Sequence, residues 1–80
     1  MFYTYVLKSL KDNKHYIGYT KDVKKRLSQH NKGDCISTRN RRPFKLIYQE
    51  EFEDREEAMK REKFFKTGTG REYLKDKLKE

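Results

Sequence analysis

The amino-acid sequence predicts a small α+β domain, in which a three-stranded antiparallel sheet is flanked by helices in the order β-β-α-β-α-α. Its 80 residues suffice for one domain with a modest core, and we assign the whole chain, 1–80, to it. Two strand-like segments separated by a short polar turn indicate an antiparallel hairpin. Helix-start signals precede three later segments, and a third strand-like segment lies among them.

The hairpin is predicted from two segments rich in aromatic and β-branched residues, Phe2–Leu10 and His15–Thr20. Asp12 and Asn13 favour the turn between them, because both side chains bond locally and tolerate left-handed backbone. Two tyrosines then come close together, since alternation places Tyr5 on one face of the first strand and the returning strand begins with His15-Tyr16.

A glycine inside the second predicted strand marks a special position. Glycine within a strand usually indicates a bulge or the close approach of another group, and Gly18 is the residue concerned.

A first helix is predicted over Lys21–Asn31, with Thr20 as its cap and Asp22 in its first turn. Asn31 and Gly33 mark its end. Apolar and aromatic residues at the spacing i, i+4, i+7 define the inward face of this helix. An arginine that precedes the last of them by four positions lies at the edge of that face. These residues are Val23, Leu27, His30 and, at the edge, Arg26.

A polar loop, 33–43, precedes the third strand, Phe44–Phe52, which Pro43 introduces. The basic residues here either face phosphate or form a solvated surface, and they are Arg39, Arg41, Arg42 and Lys45. Simple alternation along the strand predicts one face shared by Phe44, Leu46, Tyr48 and Phe52, with Ile47 opposite.

A second helix is predicted to start at Asp54, because Asp54 can cap it and Glu57 can bond back from the third position. It extends to about Lys66. Its apolar stripe contains Ala58, Met59 and Phe65, and Glu62 falls inside that stripe. A carboxylate there must be paired, bound to metal or at the rim of the core to avoid a large desolvation cost. A similar capping pattern, Thr69 to Glu72, predicts a last helix that ends near Leu78.

The composition is strongly basic and points to a polyanionic partner. Lys and Arg number 21 against 13 acidic residues, which gives a formal charge of +8, and the isoelectric point is about 9.6. A merely well-solvated surface is the alternative. Cys35 is the single cysteine, so no internal disulfide forms, and no apolar run approaches the ~18 residues of a membrane span. With no signal-peptide pattern at the start, we expect a cytoplasmic protein without membrane contact.

The polar residues singled out above suit phosphodiester hydrolysis. That reaction requires a deprotonated water, positive charge against the phosphoryl oxygens and a stabilised leaving oxygen. Mg²⁺ often binds through only one or two carboxylates, so one glutamate could anchor it. Each residue also has a purely structural explanation. Tyr5 and Tyr16 can be half-buried strand residues, His30 can lie at the edge of the core, and Glu62 can pair with Arg55 or Lys66 on its own helix. Only their combination favours catalysis.

That combination resembles the GIY-YIG nuclease family. The matching residues are Tyr3-Thr4-Tyr5, ten intervening residues, Tyr16-Ile17-Gly18, Arg26, His30 and Glu62. The second triplet with its arginine is the specific part, whereas Tyr3 and Thr4 replace the Gly-Ile of the first triplet. The chain is most similar to small stand-alone bacterial members related to the N-terminal nuclease domain of the excision-repair protein UvrC.

The resemblance implies a role for each residue. Tyr5 is the general base or positions the attacking water, and Tyr16 supports it. Arg26 binds the scissile phosphate, His30 orients Tyr5 or a phosphate oxygen, and Glu62 holds Mg²⁺ or Mn²⁺. We predict substrate contacts from Gly18, Arg39, Arg41, Arg42 and Lys66. Some members carry an asparagine after the metal-binding glutamate, and no asparagine follows Glu62 here.

Three functional hypotheses follow. The first is a metal-dependent endonuclease acting on DNA, in repair or recombination. The second is a nucleic-acid-binding module without catalysis, and the third is an interaction domain that needs a protein partner. We expect a monomer or a weak homodimer. The sequence does not determine whether the substrate is DNA or RNA, whether it is single-stranded, duplex or branched, or which sequence is preferred.

Overall fold

The strand Phe2–Ser9 (β1) lies at the centre of a three-stranded antiparallel sheet with the order β2-β1-β3. We describe residues 1–78 of a computed structural model. The remaining strands are His15–Thr20 (β2) and Phe44–Phe52 (β3). The helices are Val23–Lys32 (α1), Arg55–Phe65 (α2) and Gly68–Leu78 (α3), and one 3₁₀ turn covers Arg39–Arg41. The predicted fold class and element order are therefore confirmed.

The turn of the hairpin has the predicted chemistry. Asn13 takes the left-handed conformation at φ 60°, which asparagine tolerates better than most residues. Ser9 and Lys14 close the turn, since the Ser9 amide donates to the Lys14 carbonyl at 2.9 Å. The hairpin pairs Tyr5 with Gly18 and Leu7 with Tyr16.

The helices cover the two faces of the sheet separately. On one face Tyr5, Leu7 and Phe44 form a core cluster against Val23 and Leu27 of α1. On the other face Val6 packs with Phe65 and Leu74 from α2 and α3. The buried Thr4 hydroxyl also donates to the Ala58 carbonyl at 2.7 Å and ties α2 to β1. The helices α1 and α2 thus lie on opposite sides of β1.

The predicted face assignment of β3 is wrong for Tyr48, whereas Ile47 lies on the face opposite Phe44 as predicted. Leu7 pairs with Leu46 but its neighbour Val6 pairs with Tyr48, so Ile47 is an extra residue in a bulge. A bulge reverses the alternation that follows it. Tyr48 therefore packs beside Val6 with α2 and α3, together with Ile47, and not beside Phe44.

Two helix starts differ from prediction. Asp22 is the N-cap of α1 and accepts from the Lys25 amide at 3.0 Å, so α1 begins at Val23 and not at Lys21. Thr20 instead accepts from the Asp22 amide at 3.2 Å. The last helix begins at Gly68, and its cap lies two residues before the predicted Thr69, because Thr67 accepts from the Gly70 amide at 3.0 Å.

The start of α2 is at the predicted position, with Asp54 as N-cap, but the Asp54 side chain makes no capping hydrogen bond. Glu56 and Glu57 supply negative charge in the first turn, which is favourable at a helix N-terminus. The predicted end of α1 is confirmed, since Gly33 is its left-handed C-cap at φ 83°. Among residues 1–78 no helix combines the length and apolar character needed to cross a bilayer.

Candidate active site

Tyr5 and His30 form the buried centre of the candidate site. Tyr5 extends from β1 and is 1% exposed, and His30 extends from the last turn of α1 and is fully buried. The Tyr5 phenol oxygen lies 3.3 Å from His30 Nε2. The other ring nitrogen, Nδ1, lies 2.9 Å from the Thr38 hydroxyl oxygen. The long loop after α1 is thereby connected to the centre of the sheet.

The direction of these hydrogen bonds follows from Thr38. Its hydroxyl donates to the Cys35 carbonyl at 3.4 Å, so it is an acceptor toward His30. A neutral imidazole has one donor and one acceptor nitrogen. His30 therefore donates from Nδ1 to Thr38 and accepts at Nε2, and the Tyr5 hydroxyl donates to Nε2. The lone pairs of the Tyr5 oxygen remain available to a cation.

Arg26 supplies that cation. Its guanidinium hydrogen-bonds Tyr5, which raises the pKa of Arg26 further, and its Nη1 donates to Gln29 Oε1 at 3.1 Å. Burial raises the pKa of Tyr5 to about 12, although the Arg26 hydrogen bond opposes that rise. Burial, and then the Arg26 charge, lower the pKa of His30. Tyr5 and His30 are thus neutral at pH 7, beside one fixed positive charge.

Tyr16 lies at the surface of the same cluster. Its ring centroid is 4.8 Å from that of His30 and 6.5 Å from that of Tyr5. Unlike Tyr5 it is only partly buried, and it lines an open cleft. The predicted proximity of the two tyrosines is therefore confirmed, and Tyr16 is the more exposed of the two.

Gly18 makes room for Tyr5. A β-carbon on Gly18 would lie 2.6 Å from the Tyr5 phenol oxygen and 2.8 Å from its ring carbon Cζ, well inside contact distance. The glycine thus allows the phenol to lie flat over β2. The structure explains Gly18 by packing, and its predicted contact with substrate stays a prediction.

A groove of about 400 Å³ opens beside Arg26, on the α1 side of β2. Lys21, Lys25 and Gln29 line it together with Asp22, whose carboxylate is occupied as the N-cap of α1. Two lysines beside the arginine make this groove a suitable place for a phosphate group.

The loop arginines predicted to contact substrate bind the protein itself. Arg39 donates to the Gly33 carbonyl at 2.9 Å, and Arg42 donates to the Arg39 carbonyl at 2.8 Å. Arg41 pairs with Asp12 at 3.0 Å and lies over the Phe44 ring. Each therefore holds the loop in place, and contact with substrate stays a prediction for all three.

Glu62 lies on α2, on the far side of β1 from α1. Its side chain is 17% exposed, and its carboxylate pairs with the Lys66 ammonium at 3.7 Å. Lys66 in turn lines the same cleft as Tyr16. Because β2 is an edge strand that α2 also contacts, a substrate that passes around the β2 edge can meet both Glu62 and the Arg26 cluster.

The donor set around Glu62 allows a metal ion with few protein ligands. Among residues 1–78 no group of three or more His, Cys, Asp or Glu side chains could enclose a metal. A single, partly exposed carboxylate instead suits Mg²⁺, which commonly keeps several waters and takes substrate oxygens as further ligands. Glu62 therefore suits a metal site in which water and substrate supply most of the ligands.

Two site residues carried no functional signal in the sequence. Thr38 holds His30, as described above. Asn31 clamps β3 to α1, since the Phe44 amide donates to its side chain at 2.7 Å and its side-chain amide donates to the Phe44 carbonyl at 3.1 Å. Thr38 lies in the predicted polar loop, where threonine is common. Asn31 lies at the end of α1, where asparagine indicates only the end of a helix.

Known proteins resemble this chain over most of its length. Residues 1–75 match the GIY-YIG catalytic domain. A UPF0213 protein of Staphylococcus saprophyticus is 45% identical over 74 residues, which is 91% of this chain and 89% of the relative. A UPF0213 protein of Listeria welshimeri is 52% identical over 63 residues, 78% of this chain and 69% of the relative. The solution NMR structure of a UPF0213 protein from Bacillus halodurans is 38% identical, with a TM-score of 0.54, and covers 92% of this chain and 82% of its own.

Proposed function

The chain belongs to the GIY-YIG family, and on that premise we propose that it is a metal-dependent endonuclease that hydrolyses phosphodiester bonds of DNA. The observation that carries the proposal is the convergence of Tyr5, Tyr16, Arg26 and His30 from β1, β2 and α1. The formal charge of +8 supports a nucleic-acid substrate.

Arg26 acts on the phosphate in this proposal. Its charge is permanent, and Tyr5 and Gln29 hold it at the edge of a basic groove. A fixed cation aimed at the phosphoryl oxygens stabilises the charge that develops there and does not need to reorganise during the reaction.

Of the two phenols, Tyr16 is the one that can contact water or phosphate. Tyr5 is 1% exposed, and its pKa is raised to about 12, so it keeps its proton near neutral pH. Its burial argues against the two predicted roles, removing a proton from water and positioning the attacking water, and we propose that Tyr5 instead positions its neighbours. Tyr5 orients Arg26, His30 orients Tyr5, and Thr38 orients His30.

Glu62 would hold the metal ion, Mg²⁺ or Mn²⁺. When bound, such an ion neutralises charge on the phosphoryl oxygens and stabilises the leaving oxygen. The Lys66 ammonium now beside Glu62 would be released from that carboxylate and could contact the substrate backbone.

The experiment is a cleavage assay with branched, nicked, linear and single-stranded DNA and RNA, in Mg²⁺ or Mn²⁺. Arg26→Ala and Glu62→Ala should each lower the rate by about 10²–10³ while the circular dichroism spectrum stays unchanged. Lys60→Ala is the matched control, because exposed Lys60 lies about 200° around α2 from buried Ala58. Wild-type rates in either of the first two variants would refute these roles.

A non-catalytic nucleic-acid-binding module is the second candidate. The observation that favours it is the ion pair of Glu62 with Lys66, which occupies the only carboxylate proposed for metal. Binding that is unchanged by EDTA, together with no nicking of any substrate in Mg²⁺ or Mn²⁺, would support this candidate over the first.

A further inference from the structure

A cleft of about 850 Å³ lies along the first half of β2, on the side of the sheet that α2 and α3 cover. Three segments far apart in sequence form it: the hairpin turn with the start of β2, the end of α2, and the first turns of α3. Ile17 and Leu74 give it an apolar floor, and Tyr16 belongs to its wall. Tyr16 is therefore shared by the cleft and the candidate active site.

The charge of this cleft is uniformly positive. Lys14, Lys66 and Arg71 line it, one from each of the three segments. No carboxylate occurs among the lining residues described. Lys14 and Arg71 are exposed, and the described hydrogen bonds of both use backbone atoms alone. Lys66 is 55% exposed and only loosely paired with Glu62 at 3.7 Å. All three side chains are thus able to reach an anion.

We propose that this cleft is a second phosphate-binding subsite, which holds the backbone of the cut strand on one side of the scissile phosphate. The inference rests on the proposed function and adds Lys14 and Arg71 to the substrate-binding residues. A strand bound at the candidate active site can pass into the cleft at Tyr16, because Tyr16 lines the cleft and its ring packs against His30 of the site. The apolar floor accommodates a sugar or base edge, while the three cations contact phosphates.

The test measures binding without cleavage. Fluorescently labelled single-stranded and duplex oligonucleotides are titrated with the whole protein in EDTA at several salt concentrations. Each of Lys14→Ala and Arg71→Ala should reduce the slope of log affinity against log salt by about 0.7–0.9, which is roughly five- to eightfold in affinity at 0.1 M salt. The double variant should show about twice that change in slope. Lys60→Ala removes the same charge from the outer surface of α2 and should leave the slope near its wild-type value.

A cleavage series then locates the contact. Substrates are shortened in steps from one end and then from the other. The penalty of Arg71→Ala should vanish once the strand no longer reaches the cleft from one particular end, whereas the penalty of Arg26→Ala should persist at every length.

The outcomes separate this inference from the proposed function. Wild-type slopes in both Lys14→Ala and Arg71→Ala, in a protein that binds and cuts DNA, overturn the subsite and leave the nuclease intact. Reduced slopes in a protein that never cuts support the subsite and overturn the nuclease. A wild-type protein that binds no nucleic acid but binds a polyglutamate peptide overturns the subsite as a nucleic-acid site.

Discussion

The phenol oxygen of Tyr5 lies 2.6 Å from the point that a β-carbon on Gly18 would occupy, directly across the β1–β2 pair. The same oxygen binds His30 and Arg26. Any displacement of the Tyr5 ring is therefore transmitted to both partners, which makes residue 18 a sensitive position for fold and site together.

Gly18→Ala should destabilise the domain and impair cleavage. The added methyl group pushes the buried Tyr5 ring aside, and such overpacking costs about 1–3 kcal/mol. Denaturant unfolding measures the loss, and single-turnover cleavage measures the accompanying fall in rate. Gly68→Ala is the control, because a β-carbon there meets no atom within 4 Å. That control should keep the wild-type rate, and an equal loss of stability in both variants would contradict the clash.

Thr38→Val should destabilise the folded protein more than Thr38→Ser does. Valine keeps the shape of threonine but leaves buried His30 Nδ1 without its acceptor, and an unsatisfied buried donor costs about 1–3 kcal/mol. Serine retains the hydroxyl and restores the bond. The melting temperatures of the two variants check this. A nitrogen-detected NMR spectrum of His30 should show the proton on Nδ1 in the wild type, and a proton on Nε2 would contradict the assigned tautomer.

Above pH 10, the free energy of unfolding should fall with rising pH because of Tyr5. Its pKa is raised from the ordinary value of 10 to about 12 in the folded protein, because burial disfavours the phenolate. The folded state therefore binds the proton more tightly than the unfolded chain. The stabilising contribution is complete below pH 10 and is lost as the pH rises toward 12, by roughly 2–3 kcal/mol at most.

Tyr5→Phe should remove that part of the pH dependence. Urea unfolding of both proteins at pH 9, 10 and 11 gives the comparison, and the difference in unfolding free energy between them should shrink as the pH rises. Tyr3→Phe provides the control, because Tyr3 lies on the same strand and is only partly buried. A difference that stays constant over this pH range would show that Tyr5 ionises like an exposed phenol.

Much of the fold follows from local chemistry. The hairpin was predictable because Asp12 and Asn13 supply the turn, and the burial of His30 followed from its spacing with Val23 and Leu27. The bulge at Ile47 was not predictable, since an extra residue in a strand changes the facing of side chains without changing composition. Alternation alone therefore placed Tyr48 on the wrong face.

The start of α3 depends on a tertiary contact, because two threonines are equally good N-cap candidates by local sequence. Thr67 and Thr69 both precede plausible first turns, and only Thr67 is the cap. Gly70 explains the choice, because a β-carbon there would lie 1.8 Å from the Phe64 carbonyl oxygen. The first turn of α3 must contact the end of α2 at this glycine, and the sequence by itself does not indicate that contact.

The candidate site was predictable in part. The resemblance implied that Tyr5, Tyr16, Arg26, His30 and Glu62 lie together. The structure brings the first four together but places Glu62 on α2, on the far side of β1 from α1. The sequence showed the positive charge of Arg39, Arg41 and Arg42 but not that their guanidinium groups bond to the loop and the hairpin turn. It also gave no indication that the two phenols differ in exposure, because that difference depends on how α1 and the loop cover β1.

The exposed border of β2 constrains how copies of this protein can associate. An edge strand offers unpaired amide and carbonyl groups to any incoming strand, and here the Arg26 groove and the Lys14–Arg71 cleft open on either side of that border. A second chain that extended the sheet at β2 would block both openings. A self-associated form that still binds nucleic acid must therefore join through β3 or through the outer helical surfaces.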